Sequence, residues 1–245
     1  MTVQYQPPVI LLTRPEAQSS RFAAALRDSL GDKAIIVISP LIAPRFLTPV
    51  LPRRDWGGLI LSSETAAISA RRIIAKPLPA FCVGDHTAIV AAQAGYDARS
   101  AAGDAKSLLA MILSQHPAGP LLHLHGKEVS FDLGDYLNSA GIETFSVVCY
   151  VQDAQPLTKA AKAALSGTAP VFAPLFSSRT ADLFVQAALL CGISAPIHPI
   201  AISSGVAEIA KRLGATPTIA AHPDADHMLL AITEAVTLKP TLRRH

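Results

Sequence analysis

The string SSETAA (62–67) follows the apolar run Leu59-Ile60-Leu61, and SSRTADLF (177–184), about 115 residues later, follows a second apolar run from Val171 to Phe176. A buried strand that ends on small hydroxyl residues and opens a helix is the elementary turn of an α/β fold. Its return at a spacing that other blocks share restricts the chain to architectures made from a repeated strand–helix unit. CVGDHTAIVAAQAG (82–95) lines up with AISSGVAEIAKRLG (201–214) at an offset of 119, each running from a strand through a small-residue turn into a short helix closed by Gly95 or Gly214. AAGDAKSLLAMI (101–112) matches AAHPDADHMLLAI (220–232) with one inserted residue, and LLTRPEAQSSRFAAALRDSLG matches LHLHGKEVSFDLGDYLNSAG more weakly. The pattern predicts two homologous α/β units in tandem, with a single ten-strand sheet as the alternative.

Apolar runs predict strands over 9–13, 34–40, 57–63, 80–84, 95–102, 120–125, 143–151, 170–176, 198–203 and 216–221. Amphipathic stretches predict helices over 16–30, 64–75, 86–94, 104–115, 129–140, 157–166, 179–191, 205–213 and 225–237. Half of the chain is hydrophobic and only 5% aromatic, with Ala, Leu, Ile and Val dominant, the palette of parallel sheets buried on both faces. The segment PLIAPRFLTPVLPRRDW (40–56) holds four prolines and reads as an extended crossing, and CYVQDAQPL (149–157) offers a second.

The same composition excludes whole classes of function. A net charge of +3 without a Lys/Arg run gives no nucleic-acid face. Cys82, Cys149 and Cys191 are widely spaced in apolar surroundings and read as reduced core residues. The start MTVQYQPPVILLTRP has no basic segment before its apolar stretch, and no run reaches the length of a membrane span, so a soluble cytoplasmic protein is expected. There is no GxGxxG, GxxxxGK[ST] or GxSxG, so dinucleotide, P-loop and α/β-hydrolase chemistry have no support.

In open parallel sheets, ligands sit beyond the carboxyl ends of the strands, against helix N-termini that present backbone N–H groups. The turns to examine are Thr13-Arg14, Ser62-Ser63, Gly84 to Thr87, His125-Gly126-Lys127, Ser177-Ser178-Arg179-Thr180 and Ser203-Ser204-Gly205. Small residues there admit an anion, although Ser, Thr and Asp are also simply the best helix caps. Arg14 and Arg179 are the cations best placed to meet a carboxylate or phosphate, or else exposed charges on first helical turns. Tyr150, where FSVVCY meets the second crossing, can donate a phenolic hydrogen bond to a ligand or pack as a hinge aromatic. His123 and His125 share a strand face and lack a third metal ligand in view, which favours a polar strand end; His222 and His227, five apart, are not expected on one face.

Taken together, LLTRP (11–15), LILSSETAA (59–67), FCVGDHTA (81–88), AAGDAKSLL (101–109), SVVCYVQ (146–152) and FSSRTADLF (176–184) resemble the uroporphyrinogen-III synthase family, in order and over nearly the whole chain. The resemblance implies two flavodoxin-like lobes joined by a two-stranded connector. Residues 1–38 would join 154–245 in one discontinuous lobe, 43–149 would form the other, and the crossings would lie near 39–42 and 150–153. It implies a monomer without metal or organic cofactor that closes hydroxymethylbilane, a polycarboxylate linear tetrapyrrole, with loss of water and inversion of the last ring, and that can receive it from hydroxymethylbilane synthase. By the same resemblance Tyr150 assists departure of hydroxide and Thr87 lies beside the substrate. Ser62, Ser63, Ser177 and Ser178 are expected by the resemblance to meet carboxylates, and Arg14, Gly84, Gly126, Arg179, Ser203 and Ser204 are further binding candidates by their places on the strand-end turns. Val206 stands where the family often has a hydroxyl, and His125 or Lys127 substitutes for arginines often found at 125–131. A non-catalytic two-lobed binder of a small anion, or a sugar- or nucleotide-phosphate enzyme, is the alternative.

Overall fold

The computed structural model describes residues 6–129 and 131–238. The outer ends of the expected discontinuous lobe (1–5 and 239–245) and Ser130, within the expected 129–140 helix, lie outside the described residues. The strands are β1 (Val9–Leu12), β2 (Ile35–Ile38), β3 (Ile42–Phe46), β4 (Gly58–Leu61), β5 (Pro79–Cys82), β6 (Asp97–Ser100), β7 (Leu121–Gly126), β8 (Thr144–Ala154), β9 (Val171–Leu175), β10 (Ile197–Ala201) and β11 (Thr218–Ile219). The helices are α1 (Glu16–Leu30), α2 (Glu64–Ile73), α3 (Asp85–Gln93), α4 (Ala105–Gln115), α5 (Leu133–Ser139), α6 (Lys159–Ser166), α7 (Ser178–Cys191), α8 (Ser204–Ala210) and α9 (Ala225–Leu238). The chain divides into two compact units, one from the residues up to Ala43 together with those from Ala154 onward, the other Pro44–Asp153.

The discontinuous unit has one sheet in the order β11-β10-β9-β1-β2, every pairing parallel. Numbered along the chain within that unit, the order is 2-1-3-4-5, a common order of doubly wound open sheets. The continuous unit has the order β3-β8-β7-β4-β5-β6, with β4 to β8 parallel. Counting β7 as its first strand reproduces 2-1-3-4-5. The sixth strand, β3, is the main difference from the expected extended crossing over 40–56. It runs antiparallel to β8, as Leu47 N–H donates to the Cys149 carbonyl and Gln155 N–H to that of Leu41. Pro44 is tolerated inside β3 because the strand lies on the edge of the sheet.

Alternation along each interior strand divides the core between two helical layers. In β1, Val9 and Leu11 pack with α6, α7 and α8, while Ile10 and Leu12 pack with α1 and α9. In β4, Leu59 and Leu61 meet Ala66, Ala67 and Ala70 of α2 and Ala91 of α3, and Ile60 meets Leu108 and Ile112 of α4 and Leu133 and Leu137 of α5. Each of these buried Leu or Ile side chains contributes roughly 1.5–3 kcal/mol of transfer free energy. Burial on both faces is why these strands read as unbroken apolar runs.

Three expectations need correction. Cys191 is exposed, because it ends α7 in a last turn whose Leu189 and Leu190 also lie open to solvent; local apolarity in the sequence did not mean burial. His222 and His227 are in edge-to-face contact, with ring centroids 4.4 Å apart. His222 precedes α9, so helical periodicity does not govern the pair. The serine pairs are displaced by one residue in use: the cap of α2 is Ser63, the second serine of its pair, whereas the cap of α7 is Ser177, the first of its pair.

Candidate functional site

In a 2-1-3-4-5 sheet the chain reverses direction between the strands numbered 1 and 3, and ligands bind outside the carboxyl ends of those strands. In the continuous unit this switch point lies between β7 and β4; in the discontinuous unit it lies between β1 and β9. The first is finished by Gly126, Ser62 and Ser63, the second by Thr13, Arg14, Phe176 and Ser177.

Tyr150 reaches the β7/β4 switch point because β8 bulges. The register runs Leu124↔Val147 and His125↔Val148, then jumps to Gly126↔Tyr150, leaving Cys149 as the extra residue. A bulge re-aims side chains by placing two successive residues on one side of the sheet. Cys149 and Tyr150 accordingly share one core cluster with Leu122, Leu124, Phe145 and Val147. The Tyr150 hydroxyl lies 3.0 Å from Ser63 Oγ, while that same Oγ accepts the Ala66 N–H at 3.0 Å as the cap of α2. The ring lies over Gly126, where a Cβ would stand 2.6 Å from Cζ and 2.8 Å from the hydroxyl oxygen. Lys127 N–H donates to the Tyr150 carbonyl and closes the turn. Tyr150 is only 8% exposed, and burial raises its pKa above the ordinary phenol value, the Ser63 bond partly opposing the rise. The group is therefore a neutral donor at physiological pH.

His125 Nδ1 lies 2.7 Å from the Gly126 carbonyl, which can only accept, so in the neutral ring Nε2 is left as an acceptor. His123 is not at the strand end. It sits within β7, 3% exposed, its Nδ1 3.3 Å from Ser146 Oγ and its ring 4.7 Å from that of His125. Its Nε2 has no hydrogen-bond partner among the described residues. Burial, reinforced by the charge of His125 and opposed by Asp132, pushes its pKa down to about 3. Beside this switch point Gly84 caps α3 with open space where a side chain would be, and Thr87 is buried in the first turn of that helix.

The β1/β9 switch point is built differently. The Arg14 guanidinium stacks 4.1 Å above the Phe176 ring, which Phe22 meets edge-on at 5.1 Å. Ser177 turns back on its own helix, accepting Thr180 N–H at 3.2 Å and lying 2.7 Å from Thr180 Oγ1. Ser177, Ser178 and Arg179 are exposed. On the next turn Ser203 caps α8 through Val206 N–H, with Ser204 and Gly205 exposed. The sequence residues thus gather into a phenol–serine–glycine group in the continuous unit and an arginine–aromatic–serine group in the discontinuous one. Phe176 as the platform for Arg14 was missed, and nothing in the sequence distinguishes it from a core aromatic. The bulge at Cys149 was missed too; Gly126 opposite it is its sole trace.

Among the described residues no group of three or more His, Cys, Asp or Glu is placed to hold a metal ion, and no helix is long and apolar enough to cross a membrane. What the fold and site define is an α/β protein of two parallel-dominated sheets, with small hydroxyl, amide and cationic groups at its strand ends. The sequence model of the family described as uroporphyrinogen-III synthase HemD matches residues 20–229, and the chain belongs to that family. Its structure is similar to that of a uroporphyrinogen-III synthetase from Helicobacter pylori, with a TM-score of 0.64 and 16% identity over 96% of this chain and 100% of that one. A mutant uroporphyrinogen III synthase from the extremely thermophilic bacterium Thermus thermophilus gives a TM-score of 0.47 at 16% identity, covering 95% and 100%. A search of curated protein sequences gave no significant match.

Proposed function

We propose that the protein closes hydroxymethylbilane to uroporphyrinogen III with loss of one water, and that Tyr150 is the residue that assists the leaving hydroxyl. The observation that carries the reading, beside family membership, is a buried, neutral phenol whose hydroxyl is fixed by Ser63 at a topological switch point. The C–O bond of the terminal hydroxymethyl group breaks with the electron pair leaving on oxygen, a departure that the electron-rich pyrrole drives by forming an azafulvene cation. A hydrogen bond from Tyr150 stabilises the charge developing on that oxygen, and the proton lost when the ring closes balances the hydroxide as water. The remaining task is positioning, so that spiro closure outruns direct closure; orientation of this kind supplies up to about 7–11 kcal/mol. Substrate carboxylates would be held by the strand-end turns, from Ser62, Gly84, Thr87, His125 and Lys127 in the continuous unit and from Arg14, Ser177, Ser178, Arg179, Ser203 and Ser204 in the other. Helix N-termini and an arginine stacked on an aromatic are groups suited to carboxylates. The similar strand order of the two units is consistent with an origin by duplication.

The test is the product isomer. Hydroxymethylbilane is generated in situ, the protein added, the product oxidised and the porphyrin isomers separated by chromatography. Isomer III as the main product is expected; isomer I alone, formed at the spontaneous rate, would overturn the reading.

A further inference from the structure

Family membership gives no reason why Tyr150 should hold its position, and the two groups in contact with its ring and hydroxyl offer one. Left to the pleat, Tyr150 would alternate away from Val147 and Cys149; the bulge brings it to their side of the sheet. A re-aimed side chain at a strand end still needs something to hold its tip. Ser63 Oγ is the atom that touches the hydroxyl, and the missing side chain at Gly126 leaves the volume that the ring occupies. We propose that Ser63 and Gly126 are positioning residues for Tyr150, acting through the phenol rather than on the substrate.

The hydrogen-bond inventory allows Ser63 to be the donor. One lone pair of Ser63 Oγ is taken by the Ala66 N–H, and the hydroxyl keeps one hydrogen to donate. When that hydrogen goes to Tyr150 Oη, the phenol retains its own proton for the leaving hydroxyl, and the bond sharpens its acidity in an otherwise desolvated place. Ser63 thereby joins the first turn of α2 to a side chain 87 residues away, and the helix cap becomes part of the reacting geometry. The discontinuous unit supplies an internal contrast, since Ser177 caps α7 equally well and spends its hydroxyl on Thr180 of the same helix.

This inference rests on the assignment of Tyr150 made above, and the test separates the two. Ser63→Gly removes the hydroxyl and keeps an acceptable helix cap, so loss of the cap is not what it reads. Ser63→Thr restores the hydroxyl. Single-turnover rates and KM are measured for the wild type, Ser63→Gly, Ser63→Thr, Tyr150→Phe and the Ser63→Gly/Tyr150→Phe double variant. The expectation is a fall in kcat of about tenfold for Ser63→Gly, the scale of one hydrogen bond, with KM nearly unchanged. Threonine should recover most of that loss, and Ser63→Gly should cost nothing further once the phenol is gone. Equal losses in both backgrounds, or a raised KM at constant kcat, would overturn the positioning role while leaving Tyr150 in place. A Tyr150→Phe variant as fast as wild type would sink the Tyr150 assignment, and the positioning role with it. Gly126→Ala is the steric arm: with native circular dichroism and thermal unfolding retained, kcat should fall at least as far as in Tyr150→Phe. A folded Gly126→Ala enzyme of wild-type rate would overturn the glycine's part.

Discussion

At the end of β4 the capping serine is bonded to a phenol from a strand on the far side of β7, whereas at the end of β9 the capping serine is bonded to a threonine of its own helix. The surroundings differ in the same sense. Tyr150 and His123 beside the first switch point are buried and neutral, while Ser177, Ser178 and Arg179 at the second are exposed and Arg14 brings a permanent charge. One strand order therefore carries two kinds of surface: a desolvated donor where a small change in charge is felt strongly, and a wet cationic rim suited to groups that are charged throughout the reaction. On this contrast rests our proposal that bond-breaking belongs to the continuous unit, whereas turns of both units hold carboxylates, and each role can be broken separately.

The largest expected effect concerns the buried histidine. His123 is held neutral, with its folded pKa at about 3 against an ordinary value of 6.5, so between those values the unfolded chain binds the extra proton. Its depressed pKa means that the folded state loses stability as pH falls from 6.5 toward 3, by up to about 1.4 kcal/mol for each pH unit. Acid unfolding followed by hydrogen exchange should start in Pro44–Asp153, and His123→Leu should flatten the acid limb. An unchanged limb in that variant would mean that carboxylates alone set the acid stability.

Next comes the phenol. Tyr150→Phe keeps the ring over Gly126 and removes only the hydroxyl, so kcat should fall by about ten- to a hundredfold, at or below the low end of general-acid effects, with the product still mainly isomer III. Ser177→Ala at the other switch point should leave kcat within about threefold, since its hydroxyl is already satisfied within α7. A serine variant slower than Tyr150→Phe would move the emphasis from leaving-group assistance to positioning.

How much of this was readable beforehand follows from what each feature depends on. Strands buried on both faces were legible because continuous apolar runs leave little choice, and the caps at Ser63, Ser177 and Ser203 because hydroxyl residues close those strand-end turns; Asp104, Asp132 and Thr158 also accept a first-turn N–H, within stretches that read as helix. Strand β3 was hidden because Pro44 reads as a breaker and only its place on the sheet edge makes it harmless. Tyr150 could be named from its motif, but not its partners: Ser63 and Gly126 come to it through strand register, and register with a bulge is a tertiary property. His123 resembled a strand-end polar group because sequence alternation shows the face a residue takes, not how deeply α5 and its leading loop cover that face. Pro174 and Pro199 lie inside interior strands, where loss of a ladder donor would argue against a strand, and burial on both faces outweighs it.

A smaller effect is expected at Arg14. Its guanidinium carbon lies 4.1 Å over the centroid of the Phe176 ring, a cation–π contact that holds the charge at the strand end. Arg14→Lys keeps the charge and loses the stack, so KM should rise by about three- to tenfold with kcat nearly unchanged, the pattern of binding lost equally from ground and transition states. A fall in kcat at constant KM would place Arg14 with the bond-breaking groups and erase the division of labour between the units.

The smallest effect tests whether the two capping serines are equivalent as caps while unequal in chemistry. Ser63 accepts Ala66 N–H at 3.0 Å and Ser177 accepts Thr180 N–H at 3.2 Å, so each satisfies one first-turn donor of a helix. Alanine at either position leaves that donor without its cap, at a cost of about 1 kcal/mol. Both helices keep most of their stability from the small apolar residues beneath them, Ala66, Ala67 and Ala70 in α2 and Ala181, Phe184 and Val185 in α7. Denaturant unfolding should therefore show nearly equal losses for Ser63→Ala and Ser177→Ala, and only the first should also lose turnover. Equal stability with unequal rate is the signature of one structural device kept in both units and put to chemical use in one. A Ser63→Ala loss well above that of Ser177→Ala would show instead that the bond to Tyr150 also holds the continuous unit together.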